Sequence, residues 1–205
     1  MKPLERSTSF DLVVAHYNED VGWAHKDRFT KYSPVRMFIY DKGKGKDGIR
    51  LPNVGREAHT YLWHIINNYD QLADVTAFLQ GKIRDHAPHA VDQINNLHRG
   101  STYKELTSYE LNFCASDAAE TSASIQKVYR HIFGVDIDKS RKMQCKCCAC
   151  FVVTRDRILS HPRDLYERAI ELTEKEVEPE CFKRGPIGCA FERLWHLIFN
   201  GKEIP

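Results

Sequence analysis

The sequence predicts an α/β protein, a single Rossmann-like domain whose mostly parallel central sheet has helices on both faces. Three observations predict this class. Short apolar runs alternate with helical patterns in the first half, polar or glycine-containing clusters follow those runs, and no segment rich in Pro, Gly or Ser divides the 205 residues. Such alternation favours parallel strands joined by crossover helices. We therefore expect one domain over residues 1–205.

The first half of the chain supplies the alternating pattern. Its predicted elements are, in order, a strand at 11–16, a helix at 21–30, a strand at 35–43, a helix at 57–68, a strand at 75–81 and a helix at 89–99. Each strand is a short apolar run that ends in polar or glycine residues. The helix at 57–68 is expected to pack on the sheet through Tyr61, Leu62, Ile65 and Ile66.

The second half is less regular. Its predicted elements are a helix at 118–133, a strand at 148–155, a helix at 161–177 and a helix at 185–201. Gly and Pro precede the last helical pattern and Gly follows it, as is typical of a terminal helix.

The charge balance is close to neutral. Thirty basic and 28 acidic residues give a net charge of +2, which provides no general electrostatic case for a nucleic-acid partner. No apolar run approaches the roughly 20 residues that span a bilayer. The first residues, MKPLERSTSF, lack the apolar region of a signal peptide. We expect a cytoplasmic protein with no membrane span in this chain.

Seven cysteines without a secretory signal favour reduced thiols. Four of them lie in the segment CKCCAC, namely Cys145, Cys147, Cys148 and Cys150. Two overlapping Cys-x-x-Cys spacings allow a structural zinc site with a distant ligand from His161, Cys181 or Cys189. The alternative is a set of small buried side chains on a core strand.

Three motifs of common enzyme classes are missing. The segment after the first strand, AHYNEDVGW, lacks the Gly-x-Gly-x-x-Gly pattern of dinucleotide sites. The sequence also has no phosphate loop of the Gly-x(4)-Gly-Lys-Ser/Thr type and no Gly-x-Ser-x-Gly elbow. These absences argue against NAD enzymes, P-loop enzymes and serine esterases.

Polar clusters follow the three strands of the first half: HYNED, DKGKG and QGKIRDH. Because the carboxyl ends of parallel strands meet at one edge, we expect these clusters to form a ligand site. The lysine-rich loop at 41–48 forms either a solvated turn or a phosphate contact. The helix that begins near Gly55 is expected to present its N-terminus to an anion at the same edge. Arg56, Glu57 and His59 in its first turns are candidates for the site.

Several sequence blocks occur in a fixed order: VVAHYNEDVGWA, FIYDKG, LPNVGREAHTYLWHIINNYD, FLQG with DH shortly after, CACFVVTRDRILSHPRDLYER and FERLWHLIF. Together they resemble a family of uncharacterised proteins, a domain of unknown function found in fungi, bacteria and large algal viruses. The resemblance covers roughly residues 10–200, and LPNVGREAHTYL is its most specific block. The family resembles a branch of the nucleotide-sugar glycosyltransferases with the A-type fold, and this implies that fold here.

The resemblance implies a nucleotide-sugar donor at the strand edge. The residues expected to bind the donor are His16, Tyr17, Asn18, Glu19, Lys42, Asn53, Gly55, Arg56, Glu57, His59, Gln80, Gly81 and Lys82. A Mn²⁺ or Mg²⁺ ion would have Asp85, His86 and His196 as possible ligands. Lys82 replaces a residue that is often acidic in the family, which makes it a candidate to neutralise phosphate without an ion.

The resemblance also implies a catalytic base. Glu192 lies where inverting enzymes of this fold often have their base, although a carboxylate in the first turn of a helix also has a structural explanation. Arg155 and Arg157 are candidates for contact with the acceptor or with phosphate. The Asp-x-Asp motif at 136–138 follows a predicted helix, so we expect it to form a turn rather than a metal site.

The leading hypothesis is a glycosyltransferase that moves a sugar from a nucleoside-diphosphate donor to a carbohydrate hydroxyl of a glycan or glycoprotein. It requires no organic cofactor. Two alternatives stay open, a non-catalytic module that binds a carbohydrate or nucleotide sugar, and a zinc-stabilised interaction domain.

Overall fold

The computed structural model describes residues 7–43, 48–98, 100–107, 110–114, 119–138, 142–146, 148–175 and 187–200. It contains a six-stranded sheet and a separate two-stranded antiparallel sheet. The strands of the sheet, numbered along the chain, are β1 Phe10–His16, β2 Val35–Asp41, β3 Ile49–Arg50, β4 Val75–Gln80, β5 Tyr103–Glu105 and β8 Phe151–Thr154. The two-stranded sheet pairs β6 Glu110–Cys114 with β7 Lys142–Lys146.

The order of strands in the sheet is β3-β2-β1-β4-β8-β5. β1 runs parallel to both β2 and β4, and β3 runs parallel to β2. β8 is antiparallel to β4, and β5 is antiparallel to β8. The predicted α/β class with a mostly parallel, Rossmann-like sheet is therefore confirmed, although the sheet is mixed because β8 runs in the opposite direction.

The helices fall into two size classes. They are α1 Arg56–Asn68, α2 Ile83–His86, α3 Ala90–Asn95, α4 Ala119–Phe133, α5 Arg155–Ile158, α6 Arg163–Lys175 and α7 Ile187–Asn200. α1, α4, α6 and α7 have 13 to 15 residues, whereas α2, α3 and α5 have at most six. Within the part of the chain that the structure describes, no helix has both the length and the apolar character needed to cross a membrane.

The four long helices pack on one face of the sheet around a core rich in aromatic side chains. Phe78 of β4 and Phe151 of β8 contact Tyr61 of α1, and all three are buried. The rings of Trp195 and Phe199 of α7 stack at a centroid distance of 5.7 Å. Burial of these large rings is the main apolar contribution to the stability of this layer. Trp195 is thus a core residue.

The opposite face of the sheet is covered by the segment between β1 and β2 and by the short helices α2 and α3. Phe10 of β1 stacks on Tyr32 at 4.5 Å and lies 5.1 Å from Phe29. The Tyr32 hydroxyl donates a hydrogen bond to the carbonyl of Ile94 in α3 over 3.0 Å. Both faces are therefore buried, but only one of them is covered by long helices among the described residues.

The prediction of a helix at 21–30 is wrong. That segment contains only a 3-10 turn at Lys26–Arg28. Asp20 accepts a hydrogen bond from the backbone N–H of Gly22 over 2.8 Å, and such local side-chain bonds compete with helix formation. The predicted helix at 89–99 is confirmed only as the six-residue α3.

Candidate functional site

The carboxyl ends of β1, β2 and β4 form one edge of the sheet. β1 lies between the other two strands, so the strand order reverses at this point, and α/β sheets bind ligands outside such an edge. His16 ends β1, Lys42 follows β2 and Gly81 follows β4. The N–H of Lys42 donates to the carbonyl of His16 over 2.9 Å, and the N–H of Gly81 donates to that of Ala15 over 2.8 Å. The three predicted polar clusters therefore meet.

Glu19 organises the loop after β1. Its Oε2 accepts hydrogen bonds from the backbone N–H groups of Tyr17 at 2.7 Å and Asn18 at 3.1 Å. His16 Nε2 lies 3.0 Å from the carbonyl oxygen of Glu19, and its Nδ1 lies 3.6 Å from the buried Asp41 carboxylate. His16 and Glu19, two of the predicted donor residues, thus fix the conformation of the loop. Tyr17 between them is 47% exposed.

The loops after β1 and β2 touch at a glycine. A Cβ atom on Gly43 would lie 1.7 Å from the carbonyl oxygen of Tyr17. We expect Gly43→Ala to lower the free energy of unfolding by about 2–3 kcal/mol, because a backbone atom must move to admit the methyl group. Urea denaturation measures this loss. Gly22→Ala is the control, since its Cβ would meet only the Asp20 side chain at 3.1 Å, and an equal loss there would contradict the steric explanation.

The first turn of α1 lies beside these loops. Gly55 before the helix has φ 57°, and Arg56 has φ 47°. The buried Lys42 ammonium donates hydrogen bonds to the carbonyls of Val54 and Arg56. Lys42 thus ties the end of β2 to the start of α1.

A cavity of about 270 Å³ opens between β1, β2 and α1, and we call it the His16 cavity. Its lining residues are Ala15, His16, Tyr17, Glu19, Lys42, Asn53, Arg56 and Glu57. Apart from Ala15, every one of them is a predicted donor residue. The structure therefore brings together side chains from four separate segments of the sequence.

Glu192 of α7 lies next to this cavity. The Arg56 Nε is 3.6 Å from a Glu57 oxygen and 3.9 Å from a Glu192 oxygen, so the guanidinium lies between two carboxylates. The Glu192 side chain is 15% exposed. Burial, and then the negative charge of Glu57, raise the pKa of Glu192 from 4.5 to about 7, against the opposing effects of Arg56, Arg193 and a hydrogen bond from the Cys148 backbone N–H.

Gly188 is the position at which α7 packs closely against the Arg56 side chain. A Cβ on Gly188 would lie 2.8 Å from the Arg56 Cδ. The Arg56 guanidinium also lies 3.9 Å from the Cys189 sulfur. The sequence analysis did not predict this contact, although a glycine within an otherwise apolar helical pattern often has a packing reason.

Strained backbone surrounds Glu192. Among the described residues, the non-glycine positions with positive φ are Arg56 at 47°, Cys148 at 78° and Ala149 at 45°. Arg56 lies next to Glu192, and Cys148 donates its N–H to it. Tyr61 donates its hydroxyl proton to the carbonyl of Ala149 over 2.9 Å, which fixes the turn. Strain of this kind persists where surrounding contacts impose it, often at functional sites.

A second cavity, of about 750 Å³, lies on the other side of the β1 loop, and we call it the Trp23 cavity. It is lined by Asn18, Glu19, Asp20, Gly22, Trp23, Arg28, Gly81, Lys82, Ile83, Arg84 and Asp85. The Trp23 indole N–H donates to the carbonyl of Gly81 over 2.7 Å. Glu19 lines both cavities, so the two are neighbours along the same strand edge.

Arg155 and Arg157, predicted to contact the acceptor or phosphate, lie away from the strand edge that carries the other predicted residues. Because β8 is antiparallel to β4, its carboxyl end lies at the opposite edge of the sheet. Arg155 forms an ion pair with Asp74, just before β4, at 3.2 Å. Arg157 donates to the carbonyl of Asn200 at the end of α7 over 2.9 Å. The start of β8, not its end, lies at the site.

His59 is buried against α6 rather than lining the His16 cavity. Its Nε2 lies 3.8 Å from a Glu174 oxygen. Burial, and then the charge of Lys42, lower the pKa of His59 to about 4, so its ring is neutral at pH 7. Gln80 ends β4 and is half-buried beside the site.

The predicted metal ligands do not converge among the described residues, where no group of three or more His, Cys, Asp or Glu side chains is suited to a metal. Asp85 instead pairs with Lys82 at 2.8 Å. His86 ends α2, and His196 lies on α7. Asp136 of the Asp-x-Asp motif accepts two hydrogen bonds from Arg130 of α4.

The described residues of the cysteine segment do not form the zinc site of the hypothesis. Cys148 takes part in a disulfide, so the expectation of reduced thiols is wrong there. Cys150 and Cys189 are thiols, and burial raises the pKa of Cys150 to about 12. His161 Nε2 lies 2.7 Å from the carbonyl oxygen of Ile198. Cys147, Cys181 and the side chain of Cys145 lie outside the described part of the chain.

The fold and the site define an α/β domain with a ligand edge at the reversal of strand order and a buried carboxylate beside it. The chain belongs to the family described as "Protein of unknown function (DUF3431)", whose model matches residues 12–205. This match confirms the uncharacterised family that the sequence blocks resemble. No curated protein and no solved structure matches the chain.

Proposed function

We propose that this protein transfers a sugar from a nucleoside-diphosphate donor to a carbohydrate hydroxyl, with Glu192 as the catalytic base. The observation that carries the proposal is the buried Glu192 carboxyl, whose pKa is raised to about 7 next to a cavity at the ligand edge. A general base is most effective when its pKa is close to the working pH. Glu192 therefore has the protonation behaviour that the reaction requires.

The proposed step begins with the proton of the acceptor hydroxyl, which passes to a Glu192 oxygen. The acceptor oxygen forms a bond to the anomeric carbon of the donor while the bond from that carbon to the phosphate oxygen breaks. The bonding electrons leave with the nucleoside diphosphate. Arg56, 3.9 Å from Glu192, favours the ionised base before the proton arrives.

The fold supports a nucleotide-sized ligand at this edge, because open α/β sheets bind ligands where the strand order reverses. The two neighbouring cavities supply room on both sides of the β1 loop. The resemblance of the family to A-type glycosyltransferases points to the same substrate class.

Calorimetry with UDP- and GDP-sugars, with and without Mn²⁺, tests the proposal together with a turnover assay on any donor that binds. Glu192→Gln is expected to bind donor as the wild type does and to reduce turnover by about 10²–10⁴-fold. Glu171→Gln, an exposed carboxylate of α6, is the control and should leave turnover unchanged. Absence of donor binding, or full turnover by Glu192→Gln, would overturn the proposal.

A second candidate is a binding module without catalysis. The Lys82–Asp85 ion pair after β4 favours it, because that pair engages the carboxylate that the resemblance assigned to a metal. Donor binding by the wild type without transfer or hydrolysis would assign this function instead.

A further inference from the structure

The charges of the Trp23 cavity are not equivalent. Its lining includes three cationic residues, Arg28, Lys82 and Arg84, and three acidic residues, Glu19, Asp20 and Asp85. The formal charges cancel, so the net charge does not decide what the cavity binds. The charged groups differ instead in the partners that each has within the protein.

Every carboxylate of the cavity is engaged within the protein. Glu19 accepts the backbone N–H groups of Tyr17 and Asn18, and Asp20 accepts that of Gly22 at 2.8 Å. Asp85 pairs with Lys82 at 2.8 Å. These contacts engage one oxygen of each carboxylate, and the Lys82 ammonium also compensates the charge of Asp85.

Two guanidinium groups differ from this pattern. Arg28 donates to the carbonyl of Trp23 over 3.3 Å and forms no ion pair with a described residue. Arg84, an exposed residue of α2, has no carboxylate partner within the described chain either. The half-buried Trp23 also lines the cavity, and its indole N–H donates to the carbonyl of Gly81. The cavity thus offers two guanidinium groups and an aromatic surface to one ligand.

We propose that the Trp23 cavity binds the diphosphate of a nucleotide ligand through Arg28 and Arg84. Guanidinium groups match phosphate oxygens in charge and geometry, and each can donate two parallel hydrogen bonds. The assignment rests on the proposed function in taking a nucleotide sugar as the ligand. It adds two residues of the diphosphate site, and it divides the edge between the Trp23 cavity for the diphosphate and the His16 cavity, beside Glu192, for the acceptor hydroxyl.

Calorimetry with UDP, GDP and inorganic pyrophosphate tests the assignment. Arg28→Gln and Arg84→Gln are each expected to weaken binding by about tenfold, and the double variant by about 100-fold, because each loses a charge-assisted contact. Lys26→Gln is the matched control, since it removes one positive charge from the same exposed turn but does not line the cavity. Its affinity should change by less than about twofold.

The outcomes separate this assignment from the transferase proposal. Absence of binding of all three ligands to the wild type, or equal affinities in the arginine variants, would overturn the diphosphate site. A donor that is turned over equally well by wild type and arginine variants would leave the transferase function standing and remove the site. Weakened ligand binding in the variants, with no donor ever turned over, would retain the site and overturn the transferase function.

Discussion

Replacing Glu192 by glutamine is expected to raise the free energy of unfolding by about 2–3 kcal/mol at about pH 8. The folded protein raises the pKa of this carboxyl from 4.5 to about 7, chiefly by burial. Above that pKa the wild type must keep a buried, ionised carboxylate. Glutamine has nearly the same shape, has no charge and still accepts the Cys148 N–H.

The pH dependence follows from the direction of this shift. A carboxyl with a raised pKa contributes stability below its unfolded pKa, and this contribution is lost as the pH rises through the folded pKa. The wild type should therefore lose stability between pH 4.5 and about 7 relative to Glu192→Gln. We expect a difference of about 1 kcal/mol at about pH 5 and the full difference at about pH 8.

Urea denaturation of both proteins at the two pH values measures this effect. Glu171→Gln is the control, because the exposed Glu171 carboxylate pairs with the Lys175 ammonium at 3.2 Å on the surface of α6. It should change stability by less than about 0.5 kcal/mol at either pH. A destabilised Glu192→Gln at pH 8 would show that the carboxylate is ionised at little cost and would remove the basis for its raised pKa. Stabilisation accompanied by loss of turnover would be the trade-off expected of a functional carboxylate.

The first half of the sheet could be predicted from the sequence, because the patterns that indicate these strands and helices are local. β1, β2, α1 and β4 follow one another as apolar runs and helical patterns, and long crossover connections make such strands parallel neighbours. Once they are parallel, the segments after them must meet at one edge. His16, Lys42 and Gly81 could therefore be placed together without knowledge of any long-range contact.

The direction of β8 could not be predicted in this way. An apolar run indicates a strand, but the path of the preceding chain decides whether it enters the sheet parallel or antiparallel. Here it enters antiparallel, which carries Arg155 away from the site and brings the Cys148 backbone to Glu192. A main-chain N–H has no residue type that a motif search can recognise.

Arg28 and Trp23 were not among the predicted site residues, for a related reason. The segment from 21 to 30 contains enough apolar residues to suggest a helix packed on the sheet, and in such a helix Trp23 is a core residue. The Asp20–Gly22 turn prevents the helix and leaves Trp23 and Arg28 at the cavity. Side-chain competition for backbone hydrogen bonds thus decided which residues reach the site.

Asp11→Asn is expected to lower the free energy of unfolding by about 3 kcal/mol, because it removes the fully buried carboxylate that pairs with Arg36. Asp11 of β1 is fully buried, and its two oxygens accept hydrogen bonds from Arg36 of β2 at 2.6 Å each. One of the same oxygens lies 3.3 Å from the N–H of Ala73 and 3.8 Å from Nε2 of the buried His64. An asparagine cannot accept both guanidinium bonds, and its amide would face Arg36.

The pH dependence of Asp11 has the opposite direction to that of Glu192. Burial raises the pKa of Asp11, but the interactions with His64 and Arg36 outweigh it and hold the pKa below the ordinary value. A lowered carboxyl pKa contributes stability above the unfolded pKa and loses it as the pH falls through the folded value. The difference between wild type and Asp11→Asn should therefore shrink below about pH 4.

Asp164→Asn is the matched control for Asp11→Asn. Asp164 also pairs with an arginine, Arg168, at 2.5 Å, but the pair lies on the surface of α6 and the Asp164 side chain is 61% exposed. Exposed pairs contribute about 0–1 kcal/mol, so this variant should lose far less stability in urea denaturation at pH 7. Equal losses in the two variants would contradict the argument that burial, rather than the pairing itself, makes Asp11 important. Because Asp11 joins β1 to β2 through Arg36, a large loss there would also show that the pairing of these two strands depends on the buried Asp11 carboxylate.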